Sequence, residues 1–147
     1  MLSKIKSMSL DGLNGYLVEI QSDVAGGLPN FEIVGLPDIR VKEAKERVRT
    51  AIKNSNIEFP SRKIIINLAP ADKRKEGTHL DLPIAIGILI AMGEIRKIKI
   101  ENFESTIFLG ELSLDGSINW VNGILPMCIE AKKLGIKEII VPKENAK

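Results

Sequence analysis

Hydrophobic and polar positions change period several times along the chain, and each change marks an element. Lys4 to Leu10 alternates, as a half-buried strand does, and Tyr16 to Ile20 reads as a second strand. The turn formers Asp11-Gly12 and Asn14-Gly15 lie between them, so residues 4–20 are predicted to form a hairpin. Phe31–Val34 is a third short strand, ended by Gly35-Leu36-Pro37. Asp38 is placed as an N-cap, and Ala44, Val48, Ala51 and Ile52 then recur at helical spacing to about Asn54. Lys63–Leu68 is strongly apolar and is predicted to be a central strand covered on both faces. Ile107–Leu114 is a strand, Asp115-Gly116 a two-residue hairpin turn, and Ile118–Val121 the return. Ile124–Leu134 is a helix closed by Gly135, and Glu138–Val141 a last strand stopped by Pro142. Arg96 to Glu104 is a charged connector without a clear period. The order β-β-β-α-β-α-β-β-α-β predicts one mixed α+β domain over residues 1–147, without internal repeats.

One stretch departs from every alternating pattern. The charged loop Lys73-Arg74-Lys75-Glu76-Gly77-Thr78-His79-Leu80 runs into Asp81-Leu82-Pro83 and the apolar run Ile84 to Met92. Asp81 is placed as a cap for the orphan N–H groups of a helix, and Pro83 suits its first turn. The helix has no polar face, so it is predicted to be enclosed by protein, with Gly93 ending it. The loop before it therefore stands on a rigid base.

Composition narrows the class. With 147 residues, 44% apolar and 27% charged, the chain can bury a real core. A net charge of +2 permits contact with nucleic acid without demanding it. The single cysteine, Cys128, cannot form an internal disulfide, which fits a reducing cytosol, and the single histidine argues against a His-based metal site. No long apolar segment follows the N-terminal lysines, so no signal peptide is expected. The run Leu82–Met92 is shorter than the roughly 20 residues a membrane span needs. A cytoplasmic protein is expected.

Little in the chain points to chemistry. It has no G-x-x-x-x-G-K-[ST], no G-x-G-x-x-G and no C-x-x-C, so no nucleotide hydrolysis is expected of it. Thr78 and His79 sit in a suitable loop, but neighbouring loop residues usually point apart, and a threonine nucleophile needs a base within reach. Cys128 reads as a small core residue of its helix. Trp120 could stack a base, although packing on its sheet is the simpler reading. Lys73, Arg74 and Lys75 are the best candidates for an anionic partner. Lys42, Arg49 and Lys53 could form a basic stripe, although interleaved acids make a solvated helix face the plainer account.

Several longer motifs carry a resemblance. Leu28-Pro29-Asn30-Phe31-Glu32-Ile33-Val34-Gly35-Leu36-Pro37-Asp38, Asn67-Leu68-Ala69-Pro70-Ala71-Asp72, Lys75-Glu76-Gly77 with Asp81-Leu82-Pro83, Gly110 to Gly116, and Val141-Pro142-Lys143-Glu144-Asn145 follow in order. Together they resemble the N-terminal domain of the ComM/YifB group of Mg-chelatase-like AAA+ proteins. The second half is more distantly similar to the Lon protease domain. This implies a ribosomal S5 domain 2-like fold, a mixed sheet with helices packed on one side of it. Lon-type peptidases carry a nucleophilic serine in D-G-P-S-A-G. Here Glu76-Gly77-Thr78-His79-Leu80-Asp81 puts His79 in its place. The Lon lysine opens a helix after Gly-Gly, where this chain has Asn122-Gly123-Ile124-Leu125, and Lys132 lies about 10 Å further along the axis.

The resemblance thus implies a non-catalytic accessory domain of a DNA-directed AAA+ motor, without catalytic, cofactor or metal sites of its own. ATP and Mg2+ belong to an AAA+ module absent from these residues, which implies a fragment of a longer protein. The expected partners are that module, further copies in a ring, and DNA, and no membrane. A divergent Ser/Thr peptidase using Thr78 and a stand-alone nucleic-acid-binding module are the alternatives.

Overall fold

A computed structural model describes residues 2–71, 73, 75, 77–93 and 105–146. Strands β1 (Leu2–Asp11) and β2 (Asn14–Ala25) pair antiparallel from Leu2 opposite Asp23 to Asp11 opposite Asn14. The hairpin is longer than expected at both ends, because alternation continues through Ser22 and Val24, which are buried. β3 (Asn30–Val34), helix α1 (Asp38–Asn54) and β4 (Lys63–Ala69) form a parallel crossover, and β4 also pairs antiparallel with β2. Helix α2 (Asp81–Ala91) follows, then β5 (Thr106–Phe108), which lies parallel to β1. β6 (Glu111–Leu112) and β7 (Ile118–Asn119) make a separate small ribbon. Helix α3 (Ile124–Lys133) leads to β8 (Glu138–Ile140), parallel to β5, and a 3-10 turn at Lys143–Ala146. The main sheet has the order β3-β4-β2-β1-β5-β8 and is mixed, as expected of an α+β fold of the Lon-like kind.

Several expectations need correction. The helices do not share one side of the sheet. Ile5, Val18, Ile20, Ile64, Ile66 and Leu68 face α1 and α2, whereas Met8, Ile107, Leu109, Met127 and Ala131 form a second cluster on the opposite face, beneath α3. Strand alternation requires this, since Ile5 and Met8, or Ile107 and Phe108, must point to opposite faces. Gly15 lets α3 approach: a Cβ there would stand 3.1 Å from Glu130 Cβ and 3.2 Å from Pro126 O. β4 is flanked on both edges, but only its Ile64, Ile66 and Leu68 face is closed, and Ile65 and Asn67 are half-buried.

The expected strand 107–114 breaks at Leu109-Gly110, so β5 joins the main sheet and β6 leaves it. The turn after β6 has three residues rather than two. Ser113 N donates to Ser117 O, Gly116 N donates to Ser113 O, and Gly116 takes φ +92°, the bulged form of hairpin loop.

Helix α2 packs on the centre of the sheet. Ile84 and Ile88 are fully buried, and each such side chain contributes about 1.5–3 kcal/mol. Ile86, Leu89 and Ile90 are only half-covered, so the enclosure expected of this helix is incomplete. Close approach is set by Gly87 against the paired Ser3 and Ser22: Ser3 Oγ donates to Gly87 O at 2.8 Å. Gly93 closes the helix at φ +86°, with its N–H on Ile90 O. The Arg96–Glu104 connector lies outside the described residues.

Candidate functional site

The loop before α2 and the start of α3 meet across one cleft of about 770 Å³. Thr78 and His79 line one wall, Asn119, Trp120 and Asn122 another, with Glu111 and Glu144 at the margins. Three devices hold this geometry. Gly77 takes φ +93°, which lets the loop fold back. Gly110 N donates to His79 O at 3.0 Å, and Leu82 N donates to Gly110 O at 3.0 Å, so the strand break is stitched to the loop. Asn145 accepts from Val121 N at 2.9 Å and donates to Val121 O at 3.0 Å, fixing the segment before α3.

Asp81 does not cap α2. The helix begins at Asp81 itself, after Leu80, without a side-chain cap. Its carboxylate instead accepts from Arg47 Nε at 2.6 Å and Arg47 Nη2 at 3.1 Å, and from Leu112 N at 3.2 Å. Burial pushes the Asp81 carboxyl above its usual value, while the Arg47 fork and the Leu112 N–H pull the other way. The hydrogen bond to Asp81 holds Arg47 more firmly protonated. This pair clamps α1 to the base of the loop. Asp38 likewise opens α1 rather than capping it, with Pro37 at the cap position.

In the cleft, the Thr78 hydroxyl donates to Glu111 Oε2. His79 is 9% exposed, and burial lowers its pKa to about 4, against a smaller opposing effect of a backbone hydrogen bond with Met8. It is therefore neutral at pH 7, and its Nε2 has no hydrogen-bond partner among the described residues. The backbone N–H groups of the first turn of α2 are engaged: Asp81 N donates to Thr78 O, Leu82 N to Gly110 O and Ile84 N to Leu80 O. Trp120 is half-exposed on the cleft wall rather than packed down on its sheet. Cys128 is half-buried in α3, and burial pushes its thiol up.

Lys73 and Lys75 do not act as one patch. Lys75 is completely buried, and its ammonium donates to Pro70 O and to Lys73 O. Lys73 sits 3.6 Å from Asp11 and 4.8 Å over the Tyr16 ring. Arg74 lies outside the described residues.

The α1 residues fall differently. Arg49 and Lys53 line a groove of about 480 Å³ between α1 and the 59–62 connector, and Lys42 is exposed one turn away from it. Lys45 and Arg62, which the sequence reading did not single out, complete the groove. Its ten lining residues carry four cations and no acid, in a chain whose 21 cations are nearly balanced by 19 acids. Arg49 lies 5.7 Å over the Phe31 ring and 5.5 Å over the Phe59 ring, with Glu46 at 3.7 Å. Lys45 donates to Phe31 O at 3.2 Å. Lys53 and Arg62 are exposed and have no partner among the described residues. Lys45, Arg49 and Lys53 stand at i, i+4 and i+8 on one face. Like charges at that spacing cost a helix roughly 0.2–0.5 kcal/mol per pair, so the row is locally unfavourable. That spacing was a readable signal. Arg62 lies beyond the helix, and only the fold brings it in.

Among the described residues, no group of three or more His, Cys, Asp or Glu side chains could hold a metal ion, and no helix is long and apolar enough to cross a membrane.

Known proteins match the chain closely. The competence protein ComM of Haemophilus influenzae is 41% identical over 145 residues, 99% of this chain and 28% of that protein. The YifB protein of Escherichia coli is 43% identical over 144 residues, 98% of this chain and 28% of its own length. The chain thus spans less than a third of these relatives. Lon protease 2 of Bacillus subtilis is 32% identical over 104 residues, 71% of this chain and 18% of that protease, in accord with a Lon-like fold. The family model for subunit ChlI of Mg-chelatase matches residues 20–145. On that match, and on relatives that cover nearly its whole length, the chain belongs to the ChlI family of Mg-chelatase-like proteins.

Proposed function

We propose that this chain is a non-catalytic accessory domain of a Mg-chelatase-like AAA+ ATPase that works on DNA, serving ring assembly, DNA contact or both. The name of the ComM relative, a competence protein, supports the link to DNA. One observation carries the non-catalytic part. His79, in the cleft, takes the place that the Lon resemblance gives the nucleophilic serine, and no lysine is among the described residues that line the cleft. His79 is buried and neutral, and the Thr78 hydroxyl is directed at a carboxylate. The first-turn N–H groups of α2 that could have stabilised an oxyanion already donate to carbonyls. DNA contact then falls to the basic face of α1, around Lys42, Arg49 and Lys53, because Lys75 serves its own loop.

On this reading the cleft is a retained scaffold, ATP and Mg2+ belong to the AAA+ module, and the protein works in the cytoplasm. The test is direct. Purified chain is expected to hydrolyse no ATP, to resist labelling by a serine-reactive phosphonate, and to bind DNA weakly, with affinity falling steeply as salt rises. ATP turnover, or phosphonate labelling that disappears in Thr78→Val, would overturn the reading in favour of an enzyme.

A further inference from the structure

We infer that the groove between α1 and the 59–62 connector is a binding site for single-stranded DNA. The inference rests on the DNA-directed reading above and adds the strand form and the residues. Three features point to it. Lys45, Arg49, Lys53 and Arg62 gather on one concave surface without an acid among its lining residues, so the groove is lined by cations although the chain is nearly neutral and Glu46 pairs with Arg49 beside it. Lys53 and Arg62, exposed and without partners among the described residues, are available to phosphates. The Arg49 guanidinium carbon stands 5.7 Å over the Phe31 ring and 5.5 Å over the Phe59 ring, so the two rings fix its position. A guanidinium held in this way can stack a base on its outer face.

Stacking is what separates the strand forms. Duplex DNA keeps its bases paired inside, and only phosphates and groove edges would reach this surface. A single strand offers both phosphates and free base faces. The groove, at about 480 Å³, is of a size for one or two nucleotides rather than for a helix.

The experiment is fluorescence anisotropy of the whole chain with labelled dT15, an equal-length duplex and rU15, from 50 to 300 mM salt. The dT15 strand is expected to bind at least tenfold tighter than duplex. With Lys53 and Arg62 each neutralising one phosphate, the log–log salt slope should be about −1.4, at roughly 0.7 per phosphate. The double variant Lys53→Gln/Arg62→Gln should bring the slope close to zero and reduce the affinity at least tenfold. Arg49→Lys keeps the charge and removes the plane, so it should weaken dT15 binding several-fold at an unchanged slope. Circular dichroism and urea denaturation confirm that the variants are folded. Duplex binding as tight as dT15 overturns the single-strand assignment, dT15 binding that ignores both variants overturns the groove assignment, and neither touches the DNA-directed reading. An rU15 preference of tenfold or more reassigns the strand to RNA and overturns the inference. No binding of any DNA at 50 mM salt overturns the DNA contact itself.

Discussion

Removing Arg47 should unsettle this domain more than removing the acid it holds. The Asp81 side chain is 3% exposed and that of Arg47 is 22% exposed, so the carboxylate depends on its partner while the guanidinium retains some access to water. Arg47→Ala leaves a buried anion with only the Leu112 N–H. Breaking a buried pair in this way costs roughly 3–5 kcal/mol, and the partial exposure of Arg47 places the effect near 3 kcal/mol. For a domain of this size that is a fall in Tm of about 6–12 °C. Asp81→Asn removes the charge from the buried side and should cost less, about 1–2 kcal/mol.

Acid separates the two variants. Because burial raises the Asp81 carboxyl above its unfolded value, its protonated form is favoured in the fold. The stability linked to it is fully present below the unfolded value, and is lost as pH rises through the folded one. Without Arg47 the carboxyl rises further. The Arg47→Ala deficit relative to the parent should therefore shrink between pH 7 and pH 4.5, while the Asp81→Asn deficit widens, because the parent gains stability on protonation and the amide does not. Urea denaturation at several pH values reads both. An Arg47→Ala deficit smaller than that of Asp81→Asn at pH 7, or one that does not change with pH, would refute the account of the clamp.

His79 gives the opposite dependence. Its folded pKa of about 4 lies below the ordinary 6.5, so its contribution is present above pH 6.5 and is lost as pH falls through 4. The full loss is on the order of 3 kcal/mol, and His79→Gln should flatten the parent's stability profile between pH 6.5 and 4. Gly35 takes φ +111°, and a Cβ there would stand 2.8 Å from Leu68 O, so Gly35→Ala should cost at least about 2 kcal/mol in thermal or urea unfolding. Gly87→Ala raises helix propensity by about 1 kcal/mol, yet its Cβ would meet Ser22 Oγ at 2.4 Å. It should therefore destabilise, and Ser22→Ala added to it should restore much of the loss.

The elements were legible where a local period or a punctuating residue set them. The 4–20 hairpin, α1, α2 with its Gly93 stop, and α3 with Gly135 at φ +81° all followed from apolar spacing and glycine placement. What escaped the reading depends on partners far apart in the chain. Asp81 resembles a cap by its position before an apolar run, but Arg47, 34 residues away, takes its carboxylate. Lys75 belongs to a charged triplet by sequence, yet carbonyls of its own loop draw it inward. The strand after Thr106 looked continuous because the pattern does not break. It divides because Gly110 binds the loop at His79 and Leu82 instead of a neighbouring strand. The basic groove was half visible: Arg49 and Lys53 came from α1, and Arg62 from the connector that the fold sets beside it.

The stitching of Gly110 to His79 and Leu82 has a consequence for how the molecule is made. The conformation of the loop before α2 is completed by residues about thirty positions later, including Leu112 beneath Asp81. During synthesis, the loop emerges from the ribosome ahead of the groups that finish it. A chain cut after Gly93 would retain α2 but lose those donors and acceptors, together with strand β5 beside β1. Completion of the loop thus waits for residues 110–112, and a portion ending at Gly93 lacks what finishes it.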